Sequence, residues 1–243
     1  MHTHLYAAVA PMPSIESIPT LLEALEDLFP APESLAYIQA LRGTSAHEPP
    51  PTTVVARLGA LTLLGLLLRR VPLDSRHLLL RRDGAGRPYA VDSGSEDPLP
   101  PLDFNLSHST AHVACALLLG GGNVGIDVEE PVPAARVARL LARFGTAGEQ
   151  ALLSGADTDE AISAGFTRLW TIREAMAKRD GRGMPLRYDA TVCTPDTRLI
   201  SQSLPDTGAM LSLCFPAVVQ DKDIRQWNDI LLPTSNRKAP FFD

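Results

Sequence analysis

Residues 166–183 read FTRLWTIREAMAKRDGRG, and the rest of the chain is organised around this predicted helix. At the helical period one face carries Trp170, Arg173, Glu174, Ala177 and Lys178. The apolar residues Phe166, Leu169, Ile172 and Met176 fall on or near the opposite side. The glycines that follow suit a helix end. A surface helix with an ordinary pair between Glu174 and Lys178 shows the same spacing, so this stretch alone leaves a surface role and a binding role open.

Composition favours a globular protein without a nucleic-acid partner. The chain has 243 residues, 45% hydrophobic and 21% charged, which is enough for one large domain or two small ones. Its net charge of −6 gives no overall basic field, so we do not expect nucleic acid to bind.

The chain shows no sign of a secreted or membrane protein. Its cysteines are odd in number and lack a CxxC pair: Cys115, Cys193 and Cys214. This spacing argues against a disulfide framework or a zinc site and favours a reducing, cytoplasmic location. We read no signal peptide at the N-terminus. The longest largely apolar run, Leu58–Leu68, is shorter than the ~20 residues of a membrane span and predicts a buried helix.

The first half of the chain is predicted to be mainly helical. After a loop at the N-terminus, helices are expected near Leu21–Leu28, near Ser34–Leu41 and over Val54–Arg70. A short strand at Leu78–Leu80 and a turn rich in glycine and arginine over Arg81–Pro88 follow. An exposed, proline-rich connection then leads to residue 103, where the chain divides into two parts of similar size.

The second half is predicted to be richer in strands. Ala111–Leu119 is typical of a buried strand, and Val124–Glu129 is predicted to be its hairpin partner across the turn at residues 120–123. Further strands are expected at Tyr188–Cys193, Leu199–Leu204 and Met210–Phe215.

Asp127 and Glu129 lie two residues apart on a strand and therefore point to the same face. Half-exposed strands often carry such charges without a function. Two carboxylates on one face also repel each other unless a cation lies between them, and oxygen ligands of this kind suit Mg²⁺. This pair leaves a solvated face and a metal site open.

Three motifs stand in a fixed order: FNLSHS at 104–109, GIDVE at 125–129 and WTIREAMAK at 170–178. Together they closely resemble the signature of the 4′-phosphopantetheinyl transferase superfamily, and the chain length suggests its larger, single-chain (surfactin-type) branch. The resemblance covers roughly residues 55–215. It implies an α+β fold in which two similar halves form a pseudo-dimer, each a small antiparallel sheet packed with helices, with coenzyme A in the cleft between them.

The resemblance also implies a domain organisation. We expect an N-terminal half at residues 1–103 and a C-terminal half at 104–220 that carries the metal and coenzyme A motifs. A C-terminal tail follows at 221–243. Because one chain already contains both halves, we expect a monomer.

The resemblance further implies the reaction and its residues. A serine of an apo acyl or peptidyl carrier protein attacks the β-phosphate of coenzyme A and receives phosphopantetheine, and adenosine 3′,5′-bisphosphate leaves. The expected Mg²⁺ ligands are Asp127, Glu129 and Glu174. Glu174, or a water that it holds, is the expected base. Ser107, His108 and Lys178 are expected to contact phosphate, with His108 and Lys178 also counted as catalytic.

Two arginines stand where the family usually has lysine. Arg173 precedes the helix glutamate, and Arg87 lies in a Gly-Arg-Pro turn that resembles the family's Gly-Lys-Pro turn. Both are predicted to bind coenzyme A phosphates, although arginine and lysine are not interchangeable at such sites.

The expected protein partner is acidic, since carrier proteins are generally acidic. Basic residues outnumber acidic ones between Arg168 and Arg187, and those at the rim of the site are predicted to steer the carrier. Two other classes stay open. One is a degenerate homologue that binds coenzyme A or a carrier protein without catalysis. The other is a different Mg²⁺-dependent pyrophosphate enzyme.

Overall fold

The computed structural model describes residues 3–43, 49–71, 77–84, 86–94, 102–181, 188–227 and 232–233. The helices are α1 (Ile18–Leu28), α2 (Pro32–Ala40), α3 (Pro51–Leu68), α4 (Ala134–Phe144), α5 (Ala147–Leu153) and α6 (Asp159–Asp180). The strands are β1 (His4–Pro11), β2 (Leu78–Arg82), β3 (Pro88–Asp92), β4 (Leu102–His108), β5 (His112–Leu119), β6 (Gly125–Glu129), β7 (Thr197–Ser203), β8 (Met210–Pro216) and β9 (Ile224–Trp227). These elements confirm the predicted α+β class.

Two sheets and a hairpin organise the strands. The first sheet has the order β4-β5-β1-β9, with β9 parallel to β1 and the other pairs antiparallel. The second sheet is antiparallel with the order β6-β8-β7. Strands β2 and β3 form a separate hairpin.

The first sheet lies between two hydrophobic cores. Alternate residues of β1 point to opposite faces: Ala8 and Ala10 join the core formed with α1–α3, whereas Leu5, Ala7 and Val9 join the core shared with the second sheet. Helices α1–α3 therefore cover one face of the first sheet, and the second sheet covers the other. The far side of the second sheet packs against α6.

Helix α3 is the buried helix that the apolar run predicted. It is the one helix in the described ranges that is long and apolar enough to cross a membrane, but 14 of its 18 residues are buried inside the protein. Its position between the first sheet and α1 accounts for this composition, because a helix that is apolar all round needs neighbours on every side.

The prediction of a loop at the N-terminus is wrong, because β1 occupies His4–Pro11. The sequence of this strand is rich in alanine, which has a low strand propensity. The strand is nevertheless central, with β5 on one edge and β9 on the other. Small side chains fit there because both faces of the strand are buried.

The predicted hairpin between 111–119 and 124–129 is also wrong. Both edges of β5 are already occupied, by β4 and by β1, and β6 pairs with β8 instead. Gly120, Gly121 and Gly122 have φ values of 102°, 101° and 95°. These left-handed conformations favour glycine and turn the chain out of the first sheet into the second.

Of the remaining strand predictions in the second half of the chain, two are confirmed and one is wrong. The strands near Leu199–Leu204 and Met210–Phe215 are confirmed by β7 and β8. The strand predicted at Tyr188–Cys193 is wrong, because the described chain there forms turns and irregular loop. The predicted boundary after residue 103 falls within β4, and the first sheet takes strands from all three predicted segments. The division into two halves and a tail stays a prediction.

Candidate functional site

Helix α6 is fixed at both ends by its sequence. Thr158 caps its N-terminus by accepting a hydrogen bond from Ala161 N at 3.1 Å, and Gly181 ends it in the left-handed conformation with φ 73°. In its middle, Thr171 Oγ1 lies 2.8 Å from Ser212 Oγ on β8, and both residues are buried. Because Ser212 pairs with Asp127 across the sheet, this contact sets the helix against the strand that carries the carboxylates.

The approach of α6 to β6 requires glycine at position 125. A Cβ atom there would lie 1.9 Å from the backbone oxygen of Ala175 and 2.6 Å from Arg179 N. No side chain fits that space, so the glycine of the GIDVE motif allows the helix to lie directly on the strand. The acidic residues of β6 and the charged residues of α6 are thereby brought together.

A seam of side chains joins β4 to the free edge of β6. Asp103 Oδ2 accepts from Val124 N at 2.7 Å and Asn105 Oδ1 from Ile126 N at 3.1 Å. The hydroxyl of Ser107 accepts from Val128 N at 3.4 Å. These three polar residues alternate along β4, as side chains on one face of a strand must. They give the edge of β6 the acceptors that a neighbouring strand would supply, and they place Ser107 beside Asp127.

Ser107, Asp127 and Lys178 meet directly, although they come from three different elements. Lys178 Nζ donates to Asp127 Oδ1 at 2.7 Å and to Ser107 Oγ at 2.8 Å, and Ser107 Oγ donates to the same Asp127 oxygen at 2.9 Å. Asp127 is 3% exposed, and its other oxygen, Oδ2, is buried with no hydrogen-bond partner in the described part of the chain. A buried carboxylate oxygen without a partner is costly unless a cation or donor binds it.

Glu129 and Glu174 extend this cluster. Burial, followed by the charge of Asp127, raises the pKa of Glu129 to about 7. Burial and then the charge of Asp127 also raise the pKa of Glu174, whereas Lys178 acts in the opposite direction on both. The neighbouring carboxyl of Glu130 behaves differently. Burial raises its pKa, but hydrogen bonds from Thr110, Ser109 and His112 outweigh burial and lower the pKa to about 2.

The carboxylates form a loose group and not a closed ligand set. Across the described ranges, no three His, Cys, Asp or Glu side chains lie close enough together to hold a metal ion as they are placed. Asp127, Glu129 and Glu174 nevertheless fit a hard cation in chemistry. One buried oxygen of Asp127 lacks a partner, and the pKa values of the other two carboxyls are raised by burial and then by their acidic neighbours.

Two cavities meet at His108. The larger has a volume of about 880 Å³ and is mostly apolar. Its lining includes the apolar residues Val55, Phe166 and Trp170 and the polar residues His108 and Glu129. The smaller, of about 140 Å³, is lined by Tyr37, Arg57, Arg82 and His108 among others. Burial, followed by the charges of Lys178 and Arg57, lowers the pKa of His108, so its imidazole is neutral near pH 7.

Arg173 does not lie with the other predicted phosphate contacts. It is 2% exposed, and its guanidinium pairs with Glu149 of α5 through Nε at 2.5 Å and through Nη2. Nη1 donates to the oxygen of Phe144 at 2.6 Å. Arg173 is therefore covered by α4 and α5, because their residues supply a matching carboxylate and carbonyl.

Arg87 is also held by protein groups. Nη2 donates to Asp103 Oδ2 at 2.7 Å and to Val124 O at 3.1 Å, and Nη1 donates to Lys178 O. The turn between β2 and β3 is thereby joined to β4, β6 and α6. The structure places Arg87 beside the backbone of Lys178. The contact of Arg87 with a coenzyme A phosphate stays a prediction.

Four residues that hold the elements of the site together were not predicted from the sequence: Asp103, Asn105, Glu130 and Glu149. The two β4 residues had a usable signal, because polar residues alternate with apolar ones from Asp103 to Ser107 within a strand. Glu149 also had one, since Thr146 and Glu149 form a capping box at the start of α5. Glu130 had none, because its partners lie about twenty residues away in another sheet.

Comparison with known proteins shows which family the part of the chain that carries this site is similar to. Residues 123–224 match the profile of the 4′-phosphopantetheinyl transferase superfamily, a region that contains β6, α6 and the second sheet. The match agrees with the predicted family over these residues, which make up less than half of the chain.

Wider alignments are to curated members of the same family. The chain is 29% identical over 151 residues to the 4′-phosphopantetheinyl transferase Sfp of Bacillus subtilis, covering 62% of each protein. It is 30% identical over 149 residues to a second Bacillus subtilis 4′-phosphopantetheinyl transferase, covering 60% of this chain and 63% of the relative. It is 34% identical over 116 residues to AcpT of Salmonella typhi, covering 48% and 59%. These alignments support the single-chain branch, and each spans less than two thirds of the relative's length.

Proposed function

We propose that this protein transfers the 4′-phosphopantetheine group from coenzyme A to a serine of an apo acyl or peptidyl carrier protein. The observation that carries the proposal is the direct contact of Ser107, Asp127 and Lys178. Each residue comes from a different motif of the family signature. His108 and Glu129, which lie close to Ser107 and Asp127 in the chain, line a large and mostly apolar cavity. Relatives named 4′-phosphopantetheinyl transferase support the reaction class.

The proposed metal is Mg²⁺, with Asp127, Glu129 and Glu174 as its protein ligands. The unpartnered oxygen of Asp127 and the raised pKa values of the two glutamates support this set. A bound divalent ion would neutralise the pyrophosphate and hold it for in-line displacement. Few protein ligands are needed, because Mg²⁺ usually keeps waters and binds substrate phosphates.

We orient coenzyme A by matching its ends to the two cavities. The smaller cavity offers Arg57, Arg82 and the ring of Tyr37, which suit the phosphate and base of the nucleotide end. The larger cavity is mostly apolar and suits the pantetheine arm. His108 lines both cavities, and Lys178 lies within hydrogen-bond reach of Asp127. The pyrophosphate would therefore lie beside Lys178, Ser107 and His108.

The residues of this chain would then carry the proton and position the phosphates. Glu174, or a water that it holds, takes the proton from the carrier serine. The serine oxygen forms a bond to the β-phosphorus as the bond to the leaving phosphate oxygen breaks, which releases adenosine 3′,5′-bisphosphate. Lys178 and neutral His108 donate hydrogen bonds to the phosphate oxygens.

The surface next to the large cavity supports an acidic carrier as the partner. Arg136, Arg139 and Arg143 of α4 are exposed and lie at spacings of three and four residues, so they share one side of the helix. Arg136 reaches the wall of the large cavity. We propose this arginine face as the docking surface, extending the predicted cluster between Arg168 and Arg187. Arg182 and Arg187 of that cluster lie outside the described residues.

The remaining expectations belong to the same proposal. We infer that the protein acts as a monomer in the cytoplasm. We also infer that its two halves have similar folds and are arranged as a pseudo-dimer. Both sheets meet at the site through the hydrogen bonds between β4 and β6, and one chain would therefore supply all the residues of the proposed site.

The deciding experiment measures the intact mass of several apo carrier proteins after incubation with the protein, coenzyme A and Mg²⁺. The expected result is a mass increase of one phosphopantetheine group on at least one carrier. Binding of coenzyme A without any mass increase would identify a degenerate homologue. Turnover of pyrophosphate compounds without carrier modification would identify a different Mg²⁺-dependent enzyme.

A further inference from the structure

Glu130, the residue after β6, organises the turn between β4 and β5. Its carboxylate accepts hydrogen bonds from Ser109 Oγ at 2.7 Å, Thr110 N at 2.9 Å, Thr110 Oγ1 at 2.6 Å and Ala111 N at 3.3 Å. His112 Nδ1 lies 3.0 Å from the same carboxylate. These partners belong to four consecutive residues, so one side chain contacts every residue of the turn and the first residue of β5.

Glu130 also completes the seam between the two sheets. Along β4, the side chains of Asp103, Asn105 and Ser107 accept hydrogen bonds from the backbone N–H groups of β6 and of the residue just before it. At Glu130 the direction reverses, because a side chain next to β6 accepts from backbone N–H groups of the β4–β5 turn. No backbone ladder joins β4 to β6, so these side chains, together with the core that the two sheets share, hold one sheet against the other.

Two of the proposed site residues lie next to this connection in the chain. His108 immediately precedes the turn, and Glu129 immediately precedes Glu130. Both line the large cavity. His112 extends the connection further, because its Nε2 lies 3.4 Å from Thr207 Oγ1 in the loop between β7 and β8. A change at Glu130 would therefore be separated from Glu129 by one peptide unit and from His108 by its hydrogen bonds to the turn.

We propose that Glu130 is a positioning residue, whose carboxylate holds His108 and Glu129 in register across the end of the cavity. This inference rests on the proposed transfer reaction. Glu130 also lines the large cavity, but its carboxylate oxygens accept hydrogen bonds from the turn. Its proposed effect on the reaction therefore passes through its two neighbours. Partners that orient ligating groups in this way commonly change metal affinity or activity by roughly 10–100-fold when they are altered.

The main test is Glu130→Gln, which keeps the shape of the side chain but places an NH₂ group among donors that need an acceptor. We expect the KM of coenzyme A and the Mg²⁺ concentration for half-maximal rate to rise roughly tenfold or more, with the KM of the carrier unchanged. Glu26→Gln, on the exposed face of α1, is the control for loss of one negative charge. Equal KM values in Glu130→Gln and wild type would overturn the proposal.

A second variant covers the case in which Glu130→Gln does not fold. Ser109→Ala removes one of the hydroxyl donors and leaves the carboxylate in place, so the same changes are expected at smaller size. A double-mutant cycle with His108→Ala separates positioning from general destabilisation. If Glu130 acts through His108, the double variant loses less than the product of the two single effects. Multiplicative losses would show that Glu130 does not act through His108.

The failure of this inference can be told apart from failure of the proposed function. If wild-type protein modifies no carrier, the transfer reaction is wrong. The imidazole resonance of His108, assigned with His108→Ala, reports its position in the substrate-free protein in either case. We expect Glu130→Gln to shift that resonance and Glu26→Gln to leave it in place. An unshifted resonance in Glu130→Gln contradicts the positioning role even if transfer is observed.

Discussion

The ammonium group of Lys178 on α6 lies 2.7 Å from Oδ1 of Asp127 on β6. Asp127 is almost fully buried, and its remaining neighbours in the cluster, Glu129 and Glu174, are also acidic. Lys178 therefore balances the acidic group within the protein, in addition to its proposed contact with phosphate. This pair therefore contributes to the stability of the contact between β6 and α6.

Lys178→Met should show this dependence, because methionine keeps the apolar stem and removes the charge. In the presence of chelator we expect the free energy of unfolding to fall by about 1–3 kcal/mol, since Asp127 is left buried with only Ser107 as its donor. Mg²⁺ should recover more stability in this variant than in wild type. Thermal melts with and without Mg²⁺ measure both effects, and Lys222→Met on the exposed surface is the control. An unchanged melt would show that the pair contributes nothing to stability.

The raised pKa of Glu129 predicts how metal-free stability depends on pH. The folded protein holds this proton more tightly than the unfolded chain, whose pKa is near 4.5, while the folded pKa is about 7. The stabilising contribution is therefore complete below pH 4.5 and is lost as the pH rises through about 7. Asp127, Glu174, Glu130 and Lys178 are the charged groups that face it.

Melts of wild type and Glu129→Gln in chelator, between about pH 5 and about pH 8, isolate this contribution. We expect wild type to lose more stability than the variant over this range. Mg²⁺ affinity should rise with pH over the same interval, because a protonated Glu129 competes with the metal. Titration calorimetry in buffers of different ionisation enthalpy should show proton release on metal binding. Identical pH profiles for the two proteins would exclude a raised pKa at Glu129.

Much of the site could be predicted from the sequence, because its motifs are local. Asp127 and Glu129 share a strand face and Glu174 and Lys178 share a helix face whatever the rest of the chain does. The placement of Arg173 could not be predicted, since it depends on where Glu149 lies in the fold. The strand β1 was missed for a related reason: its alanines carry no strand signal, and only pairing with β5 and β9 explains them.

Arg173→Lys tests whether this residue serves the fold or the substrate. Lysine keeps the charge but cannot make the forked pair with Glu149, so we expect the free energy of unfolding to fall by about 1–3 kcal/mol. The KM of coenzyme A should stay the same, because the guanidinium is turned toward α5. Arg168→Lys, at an exposed position of the same helix, is the control. A raised KM of coenzyme A with unchanged stability would show that Arg173 binds phosphate after all.

The arginine face of α4 should affect the carrier more than coenzyme A. Arg139→Glu reverses a charge in the middle of this face, and we expect the KM of an acidic carrier to rise roughly tenfold at low salt. The effect should shrink as salt is added, because exposed charges are screened. Lys222→Glu, away from the cavity, is the control. Equal changes in the KM values of carrier and coenzyme A would remove α4 from the docking surface.

Glu174 connects the helix to the strand carboxylates in one proposed mechanism, so Glu174→Gln is the most direct test of that mechanism. The variant keeps the shape of the side chain and removes its charge. The fold should survive, because Glu174 is only half-buried and lies outside the two hydrophobic cores. Metal affinity and kcat should fall together, the second by roughly 10²-fold or more if proton transfer is also lost.

Asp127→Asn should have a similar effect on kcat, and the double variant should lose less than the product of the two. Residues that act as one unit are not additive, because the first substitution already disables the unit. The measurement is kcat across a Mg²⁺ titration, with a thermal melt of each variant. Glu160→Gln, in the exposed first turn of α6, controls for loss of charge on the helix. A folded Glu174→Gln protein with near-normal turnover at ordinary Mg²⁺ would remove Glu174 from both the metal site and the proton transfer.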